Sequence, residues 1–242
     1  MIHTYMEEIE RLIKQVTKKE AKSMEQAAKQ IATVLQADGV LHLFGSGHSH
    51  ILAEELYYRA GGLVPVNPIL HEPLMLHEGP LKSSEMERKK EYAKEFMAEQ
   101  DIRPGDVLMV ISTSGRNAVP VDVALLGKEK RAFIIAVTST MYSQSQPSRH
   151  SSGRRLYEVA DLVLDTHIPV GDALMSHNHV DVHFAPGSTV IGAAMLNAVV
   201  ADTISRMAEA GVEPPIFLSA NVKGGDERNR LLIEKYGGRV NM

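Results

Sequence analysis

Val40-Leu41-His42-Leu43-Phe44-Gly45-Ser46-Gly47-His48-Ser49-His50 is the stretch on which the fold turns. Its apolar run stops at a glycine-serine cluster. Ile51-Leu52-Ala53-Glu54-Glu55-Leu56-Tyr57-Tyr58 follows with apolar residues at helical spacing, so the order strand, tight loop, helix is predicted. Such a loop suits an anion. Glycines let the backbone come close, hydroxyls turn toward the ligand, and the free N–H groups at a helix start carry partial positive charge. Gly45, Ser46, Gly47 and Ser49 are therefore candidate ligand contacts. Two better-known loops do not fit. A dinucleotide loop needs a third glycine where His50 stands and an acid closing the next strand, where Val66-Asn67 occur. A Walker loop needs Gly-Lys-Ser/Thr, which is absent.

The same design recurs at Val107-Leu108-Met109-Val110-Ile111-Ser112-Thr113-Ser114-Gly115-Arg116-Asn117, a buried-strand run, clustered hydroxyls, a glycine, and Asn117 placed to cap a helix. Ser112, Thr113, Ser114 and Asn117 are a second set of candidate anion contacts. The Gly-x-Ser-x-Gly elbow of a serine hydrolase is missing here, and neutral donors beside helix N–H groups fit three phosphate oxygens better than one activated nucleophile.

Together the Gly-x-Gly-x-Ser loop and the Ser-x-Ser-Gly-x-Asn loop resemble the sugar isomerase (SIS) domain family, over roughly residues 40–207. The resemblance implies an α/β three-layer sandwich with a central parallel sheet of about five strands, helices on both faces, and a dimer that binds a phosphorylated sugar without cofactor. It places Ser112, Ser114 and Asn117 on the phosphate and Ser46 and Ser49 toward the sugar. The family also holds regulators that bind sugar phosphates without turning them over. Isomerases of the family often carry a glutamate about ten residues past the loop serine, and this chain has Arg59 there.

Composition bounds the rest. A chain of 242 residues can bury one good core, and one domain over residues 1–242 is expected: a helical segment at 1–37, an α/β core at 38–211 and a tail at 212–242. With 26 Lys and Arg against 30 acids the net charge of -4 points to neither nucleic acid nor a membrane surface. The absence of cysteine excludes disulfides, a thiolate nucleophile and a thiolate-bound metal. No run approaches about 20 apolar residues, so a cytoplasmic protein is expected.

From Tyr5 to Gln36 a helical period predicts one long or two shorter helices, ended by Asp38-Gly39, with a face for a second subunit. Leu63–Ile69 reads as a brief edge strand. Beyond it, Glu72, His77 and Glu78 fall just past a strand's carboxyl end, where open parallel sheets bind ligands, and are candidates for proton transfer. Arg88-Lys89-Lys90 reads as a solvated face, and the serine-rich residues 139–155 as an exposed loop or lid. Residues 171–187 read as a third polar loop. Its His177, His179 and His183 satisfy no single element's metal-ligand spacing, so no metal is expected and His183 is a candidate acid. Ser188 opens a long helix and joins the candidate contacts. The expected reaction is aldose–ketose isomerisation or a related proton transfer beside a carbonyl, with Glu72 or Glu78 as base and His77 or His183 as acid. A non-catalytic sensor and an amino-sugar phosphate lactyl-ether lyase are the alternatives.

Overall fold

A computed structural model describes residues 1–241. Helices α1 (Ile2–Lys19) and α2 (Ala21–Gln36) precede β1 (Leu41–Gly45), α3 (His50–Leu56), β2 (Val66–Ile69), α4 (Pro80–Met86) and α5 (Ala93–Met97). Next come β3 (Val107–Ile111), α6 (Ala118–Glu129), β4 (Phe133–Thr138), α7 (Thr140–Gln144), α8 (Leu156–Val159) and β5 (Leu162–Asp165). The chain finishes with β6 (Met175–His177), β7 (Val180–Phe184), α9 (Ser188–Glu209) and α10 (Gly225–Tyr236).

Strands β1 to β5 form one all-parallel sheet in the order β2-β1-β3-β4-β5, and Leu41 stands opposite both Val66 and Val107. Side chains alternate across each strand. Leu41, Leu43, Met109, Ile111, Ile135 and Val137 pack with α1, α2, α3 and α9 on one face. Phe44, Leu108, Val110, Ile134 and Ala136 pack with α5, α6 and α8 on the other. Helices on both faces bury the strands from both sides, which is why their sequences are mainly apolar and why His42, Asn67 and Thr138 within them are buried too. The chain leaves β1 through α3 on the first face and leaves β3 through α6 on the second. The carboxyl ends of β1 and β3 therefore flank the sheet's topological switch point, the crevice where such sheets bind ligands.

The N-terminal extension breaks at Glu20, whose carboxylate meets His167 Nε2 at 2.9 Å and so ties the α1–α2 junction to the end of β5. Helix α2 packs along α9. By length and apolar composition α9 is long enough to cross a membrane, although Asn197, Asp202 and Arg206 interrupt its apolar residues. Ile191, Met195, Leu196 and Val199 bury one side of it in the core, as in the central helix of a globular protein.

One stretch differs from the sequence reading. Residues 175–184 form the antiparallel hairpin β6–β7 rather than an irregular loop. Its alternation of Val180 and Val182 with Asp181 and His183 is a strand period, but both valines are exposed, so the pattern marks no core face. The tail folds back on the core. Phe217 and Tyr236 pack on Val64, and α10 runs for 12 residues. Arg239 Nη2 then reaches Asp106 Oδ2 at 2.6 Å. Asp106 is 2% exposed and also accepts from the N–H groups of Val40 and Arg103, with His42 Nε2 at 3.3 Å. Burial alone would raise this carboxyl, but His42 and the two backbone donors hold it down at about 2. The tail is thereby anchored at the amino ends of β1 and β3, the edge opposite the crevice.

Candidate ligand site at the switch point

The first loop is shaped by backbone contact. A Cβ on Gly45 would lie 2.4 Å from the Ser49 carbonyl oxygen, so only glycine lets the chain turn back this closely. Residues 47–49 make a single tight 3-10 turn, Gly47 has φ 55°, and the His50 ring nitrogen Nδ1 hydrogen-bonds the Gly47 carbonyl. The second loop holds itself in the same manner. The Gly115 N–H donates to Ser112 Oγ at 3.2 Å, and a Cβ on Gly115 (φ 56°) would meet Thr138 Oγ1 at 2.8 Å.

The two loops are joined by a residue that no motif singled out. Glu87, just beyond α4, accepts from Ser46 Oγ through one carboxylate oxygen and from Asn117 Nδ2 through the other, each at 2.7 Å. Its carbonyl accepts from the Val119 N–H in the first turn of α6. Ser46, Ser112 and Asn117 are only 7%, 4% and 9% exposed, so these predicted contacts are inward-facing parts of the loop framework, not solvent-facing donors. Asn117 stands at the N-cap position of α6, yet its side chain does not cap the helix. It is stretched between Glu87 and Arg149 Nη1, which donates to Asn117 Oδ1 at 2.9 Å.

A cleft of about 170 Å³ opens on the α9 side of the loops, lined by His48, Ser49, Leu52, Thr113, Asp172 and Ser188 among others. It brings together predicted contacts from the first loop, the second loop and α9. The hydroxyl of Ser188 is already committed, because it donates to Asp172 Oδ2 at 2.6 Å. Asp172 also accepts from the N–H groups of Gly187 and Ser188 and so covers the start of α9. The cleft's one carboxylate repels a phosphate and accepts hydroxyls, so this end suits the polyol part of a sugar. Ser114 is half-buried at the tip of the second loop.

The proposed acids and bases lie further out. Glu72, His77 and Glu78 are exposed in two short 3-10 turns after β2. Their segment approaches the first loop through Leu76, 4.0 Å from where a Cβ on Gly47 would be. It is anchored by His71, which stacks on Phe96 at 4.5 Å and meets the Tyr92 hydroxyl at 2.7 Å; burial there pushes the imidazole below its usual range. His183 sits on exposed β7, outside the cleft lining, and the rings of His177 and His179 stand 5.5 Å apart near the hairpin turn. Among the described residues no group of three or more His, Asp or Glu is arranged to hold a metal.

The serine-rich segment is not a free lid. Arg149 N–H donates to the Arg116 carbonyl, Arg116 Nε to the Pro147 carbonyl at 3.0 Å, and Leu156 N–H to the Gly115 carbonyl. His150 Nδ1 accepts from the Ser152 N–H, which leaves Nε2–H to donate to Asp122 at 2.8 Å. These bonds fasten residues 147–156 over the second loop and carry Arg149 to Asn117.

The profile of the SIS domain family matches residues 4–139. A UPF0309 protein of Halalkalibacterium halodurans is 55% identical over 240 residues, spanning 99% of this chain and 96% of its own. One of Geobacillus thermodenitrificans is 56% identical with the same coverage. Among solved structures, a phosphoheptose isomerase from Neisseria gonorrhoeae superimposes with TM-score 0.53 at 17% identity, over 84% of this chain and 97% of that one. One from Francisella tularensis gives 0.52, also at 17% identity, over 84% and 96%. At that identity the structural likeness speaks for the fold alone; with the profile match and the two loops at the switch point, it makes this chain a member of the SIS domain family.

Proposed function

We propose that the chain binds a phosphorylated sugar or amino sugar across the β1–β3 crevice and isomerises it between aldose and ketose by proton transfer. The observation that carries this reading is the Glu87 bridge, a carboxylate held between the two ligand loops at the switch point. Each carboxylate oxygen has two lone pairs, so a bond from Ser46 and one from Asn117 leave acceptor capacity for a substrate proton. Ser114, Thr113 and the start of α6 receive the phosphate, and Asp172 with Ser49 orients the hydroxyls. Glu87 is better placed as the base than exposed Glu72 or Glu78, while His77, next in the chain to the Leu76 that approaches Gly47, is assigned as the acid that opens the ring. Incubation with hexose and amino-sugar 6-phosphates in heavy water tests it: deuterium entering the carbon beside the carbonyl is expected, and no exchange from any of them removes the isomerase.

The exposure of Glu72, His77, Glu78 and His183 supports a second reading, a sugar-phosphate sensor that binds without turnover. A lactyl-ether lyase would begin with the same proton abstraction and is told apart by lactate release. Cysteine-free composition is compatible with the cytoplasm. A homodimer is supported by an apolar groove between α1 and α9, lined by Ile13, Val16, Met24, Ile191 and Ala194.

A further inference from the structure

Most arginines of this chain pair with carboxylates, as Arg11 does with Glu8, Arg206 with Asp202 and Arg239 with Asp106. Arg88, Arg116 and Arg149 behave otherwise. Among the described residues none of the three has a carboxylate partner within ion-pair distance, and all three are gathered around the Glu87–Asn117 contact. Arg88 follows Glu87 in the chain, Arg116 precedes Asn117, and Arg149 is brought to both by its backbone bond to Arg116 and its side-chain bond to Asn117. Burial and the like charges of Arg116 and Arg88 push the Arg149 guanidinium below its usual range. The only acid among them, Glu87, already serves Ser46 and Asn117. Three arginines without an ion-pair partner thus lie near one another and a single carboxylate in a protein whose net charge is -4.

Position separates this cluster from the loop's own phosphate contacts. Arg116 is turned outward, its Nε bonded to the Pro147 carbonyl, and Arg149 is bonded to the Oδ1 side of Asn117, with the serine-rich segment supplying the frame for both. The cleft, whose charged group is Asp172, contains none of the three. The crevice therefore has an acidic polyol end toward α9, neutral hydroxyl and N–H donors in the middle, and an arginine shelf toward α4 and α6. Resting on the phosphosugar reading above, we infer that Arg88, Arg116 and Arg149 form a second anion subsite. The ligand of this protein accordingly carries two anionic groups, the phosphate on the loop and a second phosphate or a carboxylate on the shelf. Arginine is suited to either, because its planar fork meets both oxyanions through two parallel hydrogen bonds.

Calorimetric titration with fructose 6-phosphate, fructose 1,6-bisphosphate and 6-phosphogluconate tests the subsite, at physiological ionic strength so that long-range charge is screened. The wild-type protein, Arg149→Ala, Arg149→Lys and Arg116→Ala are compared, with Arg131→Ala as a control in a turn away from the cluster. At least one doubly anionic probe is expected to bind the wild type about tenfold more tightly than the monophosphate, a gap typical of an added charge-assisted contact. The two alanine changes at the shelf should close that gap by weakening the doubly anionic probe more than the monophosphate, Arg149→Lys should close it in part, and Arg131→Ala should do nothing. Which of the two probes gains identifies the second group as phosphate or carboxylate. A wild type that binds the monophosphate as tightly as both others overturns the second subsite while leaving the phosphosugar reading intact. Shelf substitutions that weaken all three probes by one factor also overturn it, since the arginines would then serve the loop's single phosphate. Binding of none of the probes removes both readings.

Discussion

Replacing Glu87 separates its structural role from its chemical one. Glu87→Ala deletes the acceptor for Ser46 Oγ and Asn117 Nδ2, both more than nine-tenths buried. A hydrogen bond to a charged group contributes roughly 1.5 to 3 kcal/mol, and Glu87 is itself partly exposed, so water recovers some of the loss; the net cost is about 2 to 4 kcal/mol. For a protein of this size each kcal/mol moves the melting temperature by about 2 to 4 °C, which puts the expected fall near 10 °C. Glu87→Gln keeps one oxygen acceptor and should cost about half as much. Its chemical effect is larger. An amide cannot take a proton, so deuterium exchange into a phosphosugar should fall by about 10² to 10⁴. Ligand affinity should hold or rise, because a negative charge has been removed from among Arg88, Arg116 and Arg149. Scanning calorimetry and proton NMR in heavy water measure the two effects separately. Exchange within tenfold of wild type in Glu87→Gln would refute the base assignment, and an unchanged melting temperature in Glu87→Ala would refute the bridge.

Other changes probe the parts around it. Asp106 has its carboxyl lowered from 3.8 to about 2 in the folded protein, so the stability it contributes is complete above pH of about 4 and is lost as pH falls toward 2. The shift corresponds to about 2 kcal/mol, and Asp106→Asn should abolish that part of the acid sensitivity while also loosening the tail, as limited proteolysis after α10 would report. If the mutant and wild-type stability curves run parallel from pH 4 to 2, the anchoring role fails. Gly115→Ala forces a positive φ on a residue with a Cβ and sets that Cβ 2.8 Å from Thr138 Oγ1, so about 2 kcal/mol of stability and the phosphosugar thermal shift should go together. Retention of the thermal shift would detach the loop from the ligand. Ser114→Ala leaves the framework bonds of Ser112 intact and should weaken a phosphosugar about tenfold without altering the affinity of the unphosphorylated sugar. Ile13→Glu places a charge in the α1–α9 groove at an already part-exposed position, so sedimentation should show a smaller species at unchanged melting temperature; an unaltered species excludes that groove as the contact.

Local sequence determined the elements whose period or punctuation is self-contained. The runs Leu41–Gly45, Val107–Ile111 and Phe133–Thr138 are apolar but for the buried His42 and Thr138 because both faces of a parallel sheet are covered, and Gly45 and Gly115 mark turns that no side chain permits. Ser46, Ser112 and Asn117 could be picked out from the two loop motifs and the family resemblance they carry, but not the direction in which they point. The tertiary structure decided that. Glu87 lies 41 residues from Ser46 and 30 from Asn117, and Arg149 is 32 from Asn117, so no window of sequence contains the pairs that make the crevice. Asp172 reaches Ser188 over 16 residues, and Arg239 reaches Asp106 over 133. Periodicity reports which face of a strand or helix is buried. The partner of a polar side chain is set by where the crossovers place distant loops, and that is a property of the packed sheet.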